Sequence, residues 1–272
     1  NHSLISVGRV QTPVLRIVVD RDQAIANFKP KDFFNLECTF KNSNYSYKRK
    51  LQIPEDMLDP EGQLTDRNKL NAICTEITGK TGTVTRANKE LKKTQPKLLY
   101  TLADLQVDCS RLYGMSAKET LDIAQELYET HKLTTYPRSS CEYLPKAQIK
   151  DVSIILNYLK DGLSEYTKYV AMATNIEGNR VFNDEKVNEA AHTGLAPTPS
   201  PVTQAKISAL SDDCKKVYFL IVKRYICCFM PPYMYYELTV ETRVNSYLFK
   251  TTLKSAVQAG FKAFDSQNEK ED

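Results

Sequence analysis

No tryptophan occurs in the chain, and histidine occurs three times only, as His2, His131 and His192. So few imidazoles argue against a His-rich metal centre. The seven cysteines (Cys38, Cys74, Cys109, Cys141, Cys214, Cys227 and Cys228) contain no CxxC pair and show no zinc-finger spacing. Their odd number and mostly apolar surroundings point to free thiols in a reducing compartment. No secretory signal is present, and no uncharged apolar run approaches the ~18 residues of a membrane span. The longest candidate, Val217 to Met230, is broken by Lys223 and Arg224. GxxxxGK, GxGxxG, HExxH and GxSxG are all missing, which argues against ATP hydrolysis and metalloprotease chemistry. Strong charge of one sign is also missing. The net charge of +4 permits a polyanionic partner without demanding one.

What is present is enough apolar surface for real cores, at 42% of 272 residues, a length that fits two domains or one domain with insertions. Tyrosine is abundant, which suits base-stacking surfaces and ordinary packing alike. The spacing of Val14, Ile17, Val18, Arg21, Ile25 and Phe28 predicts a first helix, with Thr12 as N-cap and Pro13 at the first helical position. The abrupt start at Asn1-His2-Ser3-Leu4 reads as a fragment beginning inside a larger fold. From Phe33 the period becomes two: Phe34, Leu36, Cys38 and Phe40, then Tyr45 to Ile53 beyond a Lys41-Asn42-Ser43-Asn44 turn. A helix over Thr65–Ile77 and a strand over Thr81–Leu91 follow. The Lys-rich stretch Lys89–Lys97, with Pro96, reads as a boundary.

A helical block comes next. One helix spans Thr101–Tyr113, and Gly114-Met115 makes a turn. Ser116 and Glu119 form a capping box before an apolar face of Leu121, Ala124, Leu127 and Tyr128. Further helices start at Pro145 and span Ser211–Phe229, ending at Pro231-Pro232, with a low-periodicity stretch, Asp161–Pro201, between them. Strands Tyr236–Val244 and Tyr247–Lys254 follow, joined at Asn245-Ser246. The charged tail from Asp265 reads as frayed. The order predicts an α+β fold whose helical block is inserted in an antiparallel β domain.

Three short segments stand out: Ser6-Val7-Gly8-Arg9-Val10-Gln11-Thr12-Pro13, Leu133-Thr134-Thr135-Tyr136-Pro137-Arg138-Ser139-Ser140-Cys141, and His192-Thr193-Gly194-Leu195-Ala196-Pro197-Thr198. Singly, each reads as a loop, a turn with a packed ring, or an ordinary histidine. Together they resemble the type IA DNA topoisomerases, in particular the topoisomerase III branch. That family carries S-x-G-R-V-Q-[ST]-P, then [IT]-T-Y-P-R-[ST]-D-[SC]-x-Y-L, then H-x-[AG]-I-x-P-T, in that order. The first pattern is matched in full. The second is matched at Thr135, Tyr136, Pro137, Arg138, Ser139, Cys141, Tyr143 and Leu144, and the third at His192, Gly194, Pro197 and Thr198. Leu99-Tyr100-Thr101-Leu102 and Ser116-Ala117-Lys118-Glu119-Thr120-Leu121 agree as well, so the resemblance covers essentially the whole chain. Ser140 stands where the family has Asp, a change that bears on the support of that loop. Leu195-Ala196 replaces Ile-x.

The resemblance implies a β arch built from residues 29–92 and 232–272, a helical domain over 93–231 carrying the active-site tyrosine, and residues 1–28 as a remnant of the single-strand gate domain. It implies transesterification: Tyr136 attacks a backbone phosphorus, leaving a 5′-phosphotyrosine and a free 3′-hydroxyl, and resealing needs no ATP. A phenol titrates near ~10, so such a nucleophile needs activation. Arg138 binds phosphate oxygens bidentately, Pro137 stiffens the loop, and His192 hydrogen-bonds the same phosphate. Ser6, Arg9, Gln11 and Thr198 are the expected DNA contacts, Arg9 and Gln11 standing by a helix N-terminus that favours phosphate. Magnesium is implied for the whole enzyme, with ligands outside this chain and no metal ligand within it. The expected partners are single-stranded DNA and supercoiled or catenated DNA. The expected state is a monomer without membrane contact, cytoplasmic and nucleoid-associated, inactive as an isolated fragment. The rival readings are a non-catalytic DNA-binding or structural module and another phosphotyrosine enzyme such as a recombinase or relaxase.

Overall fold

The computed structural model describes residues 8–44 and 46–265. In chain order these form α1 (Gln11–Ala26), β1 (Glu37–Lys41), β2 (Ser46–Leu51), α2 (Arg67–Ile77) and β3 (Thr83–Thr94). A helical block follows: α3 (Leu102–Tyr113), α4 (Ala117–Glu129), α5 (Ile149–Gly162), α6 (Thr167–Val170), α7 (Asp184–Ala190), α8 (Gln204–Ser208) and α9 (Asp212–Cys228). The described chain ends with β4 (Tyr233–Val244), β5 (Tyr247–Gln258) and α10 (Lys262–Asp265). The fold is therefore the α+β class expected, with helices inserted between the halves of an antiparallel sheet of order β1-β2-β5-β4-β3. The tail beyond residue 265 and Ser6 lie outside the described residues. No helix among the described residues is long and apolar enough to cross a membrane.

The chain divides into two compact units. One holds the residues up to Asn88 together with Thr239–Thr252, and the other holds Lys89–Leu238 and the residues from Leu253. The division falls within β3, β4 and β5. In the first unit, β1 and β2 pair antiparallel with Cys38 opposite Arg49 and Phe40 opposite Tyr47. Their period of two turns Cys38 and Phe40 toward a core of Leu51, Leu64, Leu70, Ile73, Ile77, Val244 and Phe249. Asp66 caps α2 by accepting the Asn68 amide at 2.9 Å.

Two expectations change here. α1 starts at Gln11 with Val10 as its uncapped N-cap, so Thr12 is not the cap. Pro13 has no N–H to give up, and the first turn closes through the Thr12 and Val14 amides onto the Gly8 and Val10 carbonyls, both at 3.1 Å. None of its residues is buried, and Val14, Ile17, Val18 and Ile25 stay exposed. The Lys-rich stretch from Lys89 does begin at the division between the two units, but it is no break in the structure, because β3 runs on to Thr94. Cross-strand partners hold it: Lys92 pairs with Glu237, and the Lys89 ammonium lies 4.0 Å from the Tyr236 ring centre.

The second unit is organised around α9, which is buried on nearly every side. Val217, Tyr218, Ile221, Val222, Tyr225 and Ile226 are all fully buried. α3 and α4 pack against it, and the same core takes in Leu105 and Cys109 of α3, Ala124 and Leu127 of α4, and Val152, Leu156 and Leu159 of α5. The expected turn between α3 and α4 is present, with Gly114 left-handed at φ 68°. So is the capping box: the Glu119 amide donates to Ser116 Oγ at 3.2 Å, and the Ser116 amide donates to the Glu119 carboxylate at 2.7 Å. The Asp161–Pro201 stretch lacks periodicity yet is ordered by a buried side chain. Asn179 donates to the carbonyls of Asn175 (2.7 Å) and Cys228 (2.9 Å) and accepts the Val181 amide (3.0 Å).

Because Ser116 satisfies a helix-end donor at an exposed position, Ser116→Ala should lower stability by about 1 kcal/mol. The midpoint of urea unfolding, at unchanged slope, measures the loss.

Candidate active site

Two segments far apart in the chain are stitched side by side. Thr134 and Pro197 form an antiparallel bridge, as do Tyr100 and Leu195. The Thr135 amide donates to the Ala196 carbonyl (2.9 Å), the Thr198 amide to Leu133 (3.1 Å), the Gly194 amide to Tyr143 (2.9 Å) and the Leu195 amide to Tyr100 (2.9 Å). The Thr135 hydroxyl adds a clamp, donating to the Gly194 carbonyl and accepting the Ala196 amide, both at 3.0 Å. Gly194 is needed for this approach. A Cβ there would lie 2.8 Å from Leu99 Cβ and 3.1 Å from the Glu142 carbonyl carbon.

The stitching carries the candidate chemistry with it. The half-buried ring of Tyr136 lies 4.6 Å, centre to centre, from the exposed ring of His192. Ala191, left-handed at φ 59°, turns the chain at the end of α7 just before His192. A residue with a Cβ is strained there. On the other side, Tyr128 of α4 meets Tyr136 edge-on at 5.6 Å. Arg138 is exposed and makes no ion pair among the described residues, so its guanidinium is open to an incoming anion. Pro137 is buried beneath it. The loop is held by Ser139, whose amide donates to the Pro137 carbonyl at 2.9 Å, whose carbonyl accepts the Leu102 amide at 3.0 Å, and whose hydroxyl accepts the Cys141 amide at 3.1 Å. Ser140, which replaces the family's Asp, is exposed, and these bonds make no use of it.

Behind the loop lies a polar brace. The Tyr100 hydroxyl donates to Asp108 at 2.6 Å, Arg224 pairs with the same carboxylate at 3.2 Å, and its guanidinium stacks 3.8 Å from the Tyr100 ring centre. Burial works against ionisation of Asp108, but the Tyr100 hydroxyl, Arg111 and Arg224 outweigh it and hold the carboxyl below its usual range. Burial pushes the Tyr100 phenol well up against the pull of Arg224, so this tyrosine stays protonated and structural.

Of the expected DNA contacts, Ser6 lies outside the described residues. Arg9 is exposed in the turn before α1, and Gln11 is exposed as its first residue. Both belong to the first unit, whereas Tyr136, Arg138 and His192 belong to the second. Thr198 is beside the loop, but its hydroxyl is spent on the Lys132 carbonyl at 2.6 Å. Sequence reasoning missed Thr135 as the clamp and Tyr128 as the ring against Tyr136. The only signal for Tyr128 was its place on the apolar face of α4, which ordinary packing explains equally well. Among the described residues, the His, Cys, Asp and Glu side chains close enough to share an ion are Glu126, His131 and Cys214. That sulfur- and nitrogen-bearing set does not suit a hard cation that takes oxygen ligands.

The fold and the loop define a class: an α+β protein that presents a tyrosine, an unpaired arginine and a histidine on one stitched pair of segments. A family model described as DNA topoisomerase matches residues 1–272, and the chain belongs to the type IA DNA topoisomerase family. It is 33% identical over 276 aligned residues to a DNA topoisomerase 3 of Vibrio cholerae, covering 99% of this chain and 42% of that protein. It is 30% identical to a DNA topoisomerase 3 of Salmonella typhimurium, covering 99% of this chain and 41% of the relative. The full-length topoisomerase I structure from Thermotoga maritima shares the fold, with a TM-score of 0.68 at 22% identity over 98% of this chain and 41% of that one. The chain thus spans about two-fifths of the length of these relatives.

Gly194→Ala tests the stitching. Its methyl group has no room against Leu99, so it should destabilise the chain by about 1–3 kcal/mol, the scale for overpacking. It should also change the ring-current shifts that Tyr136 and His192 impose on each other in NMR spectra. A variant with unchanged stability and spectra would show that the approach is not tight.

Proposed function

We propose that Tyr136 is the nucleophile of a DNA strand transesterification carried out by a longer polypeptide of which this chain forms part. Its phenolic oxygen forms a bond to a backbone phosphorus as the bond from phosphorus to the 3′ oxygen breaks. The phenol gives up its proton and the leaving 3′ oxygen gains one. The product is a 5′-phosphotyrosine and a free 3′-hydroxyl, and the reverse attack reseals the strand without ATP. The observation that carries this reading is the pairing of Tyr136 with His192 at 4.6 Å, two residues before an exposed arginine that makes no ion pair among the described residues.

Each neighbour then has a task. Arg138 neutralises charge on the five-coordinate phosphate through its fork of N–H donors. His192 donates a hydrogen bond to the same phosphate. Apart from these neighbours, Arg9, Gln11 and Ser6 are DNA contacts, and Tyr side chains stack on unpaired bases. The substrates are supercoiled or catenated DNA, and the enzyme works as a monomer in the cytoplasm. Residues 1–28 belong to a gate domain, a reading supported by the uncovered apolar side chains of α1. Magnesium is supplied by residues beyond those described here, so the 272-residue chain alone neither nicks nor relaxes DNA.

The test uses a polypeptide of the relatives' full length that carries this chain, mixed with single-stranded oligonucleotide and magnesium. Tyr136→Phe should abolish the covalent adduct, seen as a gel shift resistant to detergent, while leaving single-strand binding in place. Adducts that persist in this variant would sink the assignment.

Arg138→Ala should slow cleavage by about two to three orders of magnitude, the scale for losing one transition-state donor. Arg138→Lys should restore only part of the rate, since the bidentate fork is gone. Single-turnover cleavage measures both, and a large loss of DNA affinity at unchanged rate would make Arg138 a binding residue instead.

A further inference from the structure

The C-terminal end of α4 and the first turn of α9 bring together three side chains that the strand-cleavage reading does not use. Glu126 lies in the last turn of α4, His131 just beyond it, and Cys214 is the third residue of α9. Their ligating atoms all lie within 4.8 Å of one another. His131 Nε2 and the Glu126 carboxylate are already 3.2 Å apart. Tetrahedral zinc, with bonds of roughly 2.0–2.3 Å, sets its ligand atoms roughly 3–4 Å apart. Small rotations of these side chains, of which Glu126 is exposed, therefore close the set.

Backbone structure holds the other two in place. The His131 amide donates to the Glu126 carbonyl at 3.2 Å, and the Leu133 amide donates to Leu127 at 3.0 Å. Between them, Lys132 is left-handed at φ 55°, which fixes where His131 leaves the helix. Cys214 is buried, and its amide donates to the Ser211 cap at 3.1 Å. Burial pushes the Cys214 thiol up, with the Ser211 hydrogen bond opposing it only in part, so the cation itself displaces the thiol proton on binding. We propose that Cys214, His131 and Glu126 form a three-ligand site for a zinc-class divalent cation, with a fourth position open to water.

A thiolate, an imidazole and a carboxylate select zinc or cobalt over magnesium, so this site is separate from any magnesium centre. Binding ties the end of α4 to the start of α9. It thereby braces the Lys132–Thr135 segment that leads into Tyr136. No CxxC or HxxxH spacing announces the site, because its sulfur comes from a helix distant in the chain.

The experiment is a Co2+ titration of the purified 272-residue chain after chelator stripping, read by visible d–d bands and the near-ultraviolet thiolate charge-transfer band. One Co2+ should bind per chain, and Zn2+ should displace it and raise the unfolding temperature. Cys214→Ser should remove the charge-transfer band. His131→Asn, at a half-buried position, should weaken Co2+ binding at least ~10-fold, since even outer partners of a metal ligand are worth that much. Cys38→Ser/Cys74→Ser, which alters thiols of the first unit, should change nothing. Circular dichroism checks the fold of each variant, and His131→Asn decides the matter if Cys214→Ser does not fold. Absence of the bands in the folded chain would overturn the proposal. So would bands that survive in folded Cys214→Ser, that follow Cys38 and Cys74, or that are unmoved by His131→Asn.

Discussion

Everything at the candidate site hangs on the main-chain hydrogen bonds that join residues 194–198 to 133–143. Neither partner is part of the five-stranded sheet, and neither is a helix. Each has backbone donors and acceptors that must find partners once buried, and they find them in each other. Thr135 supplies the extra specificity, because its one hydroxyl both donates to Gly194 and accepts from Ala196. With that register set, His192 has little choice but to stand beside Tyr136. Gly194 permits the contact because nothing larger fits against Leu99.

That stitched pair in turn needs a rigid backing, and α9 provides it. A helix buried on nearly all sides can tolerate few polar groups unless they are paired. Arg224 meets this condition by lying over the Tyr100 ring and pairing with Asp108, while Tyr100 bridges to Leu195 of the stitched segment. The brace therefore runs from the helical core to the loop through one ion pair, one hydrogen bond and one ring face. The reactive tyrosine and the structural one are separated by environment. Tyr100 is buried, with its hydroxyl committed to Asp108, whereas Tyr136 is half exposed beside a histidine.

Much of this was legible before any coordinates. The capping box at Ser116 and Glu119, the turn at Gly114, the start of α9 at Ser211 and the turn at Asn245 are local events, decided by side chains a few residues apart. Where local reasoning failed, a longer-range term had taken over. Thr12 looked like a cap, but the first turn of α1 closed earlier on the Gly8 carbonyl. Lys89–Lys97 reads as a boundary from its lysines and Pro96, and the two units do divide at Lys89, yet cross-strand pairing with Glu237 and Tyr236 keeps its first half extended. The stretch from Asp161 to Pro201 looked featureless because its order comes from the buried amide of Asn179 and not from any period.

The sequence alone determined the order of the longer helices and of the strands, and the tyrosine that stands next to a proline and an arginine in a motif shared with the type IA topoisomerases. Those properties depend on neighbours within a turn or two, where spacing translates directly into geometry. Only the tertiary structure decided that His192 reaches Tyr136, that Tyr128 closes the other face of its ring, that Thr198 spends its hydroxyl on the loop, and that Cys214 comes to rest beside His131. Each of those depends on how distant segments close on one another, and that is governed by burial and main-chain pairing across the whole helical block, which no local pattern encodes.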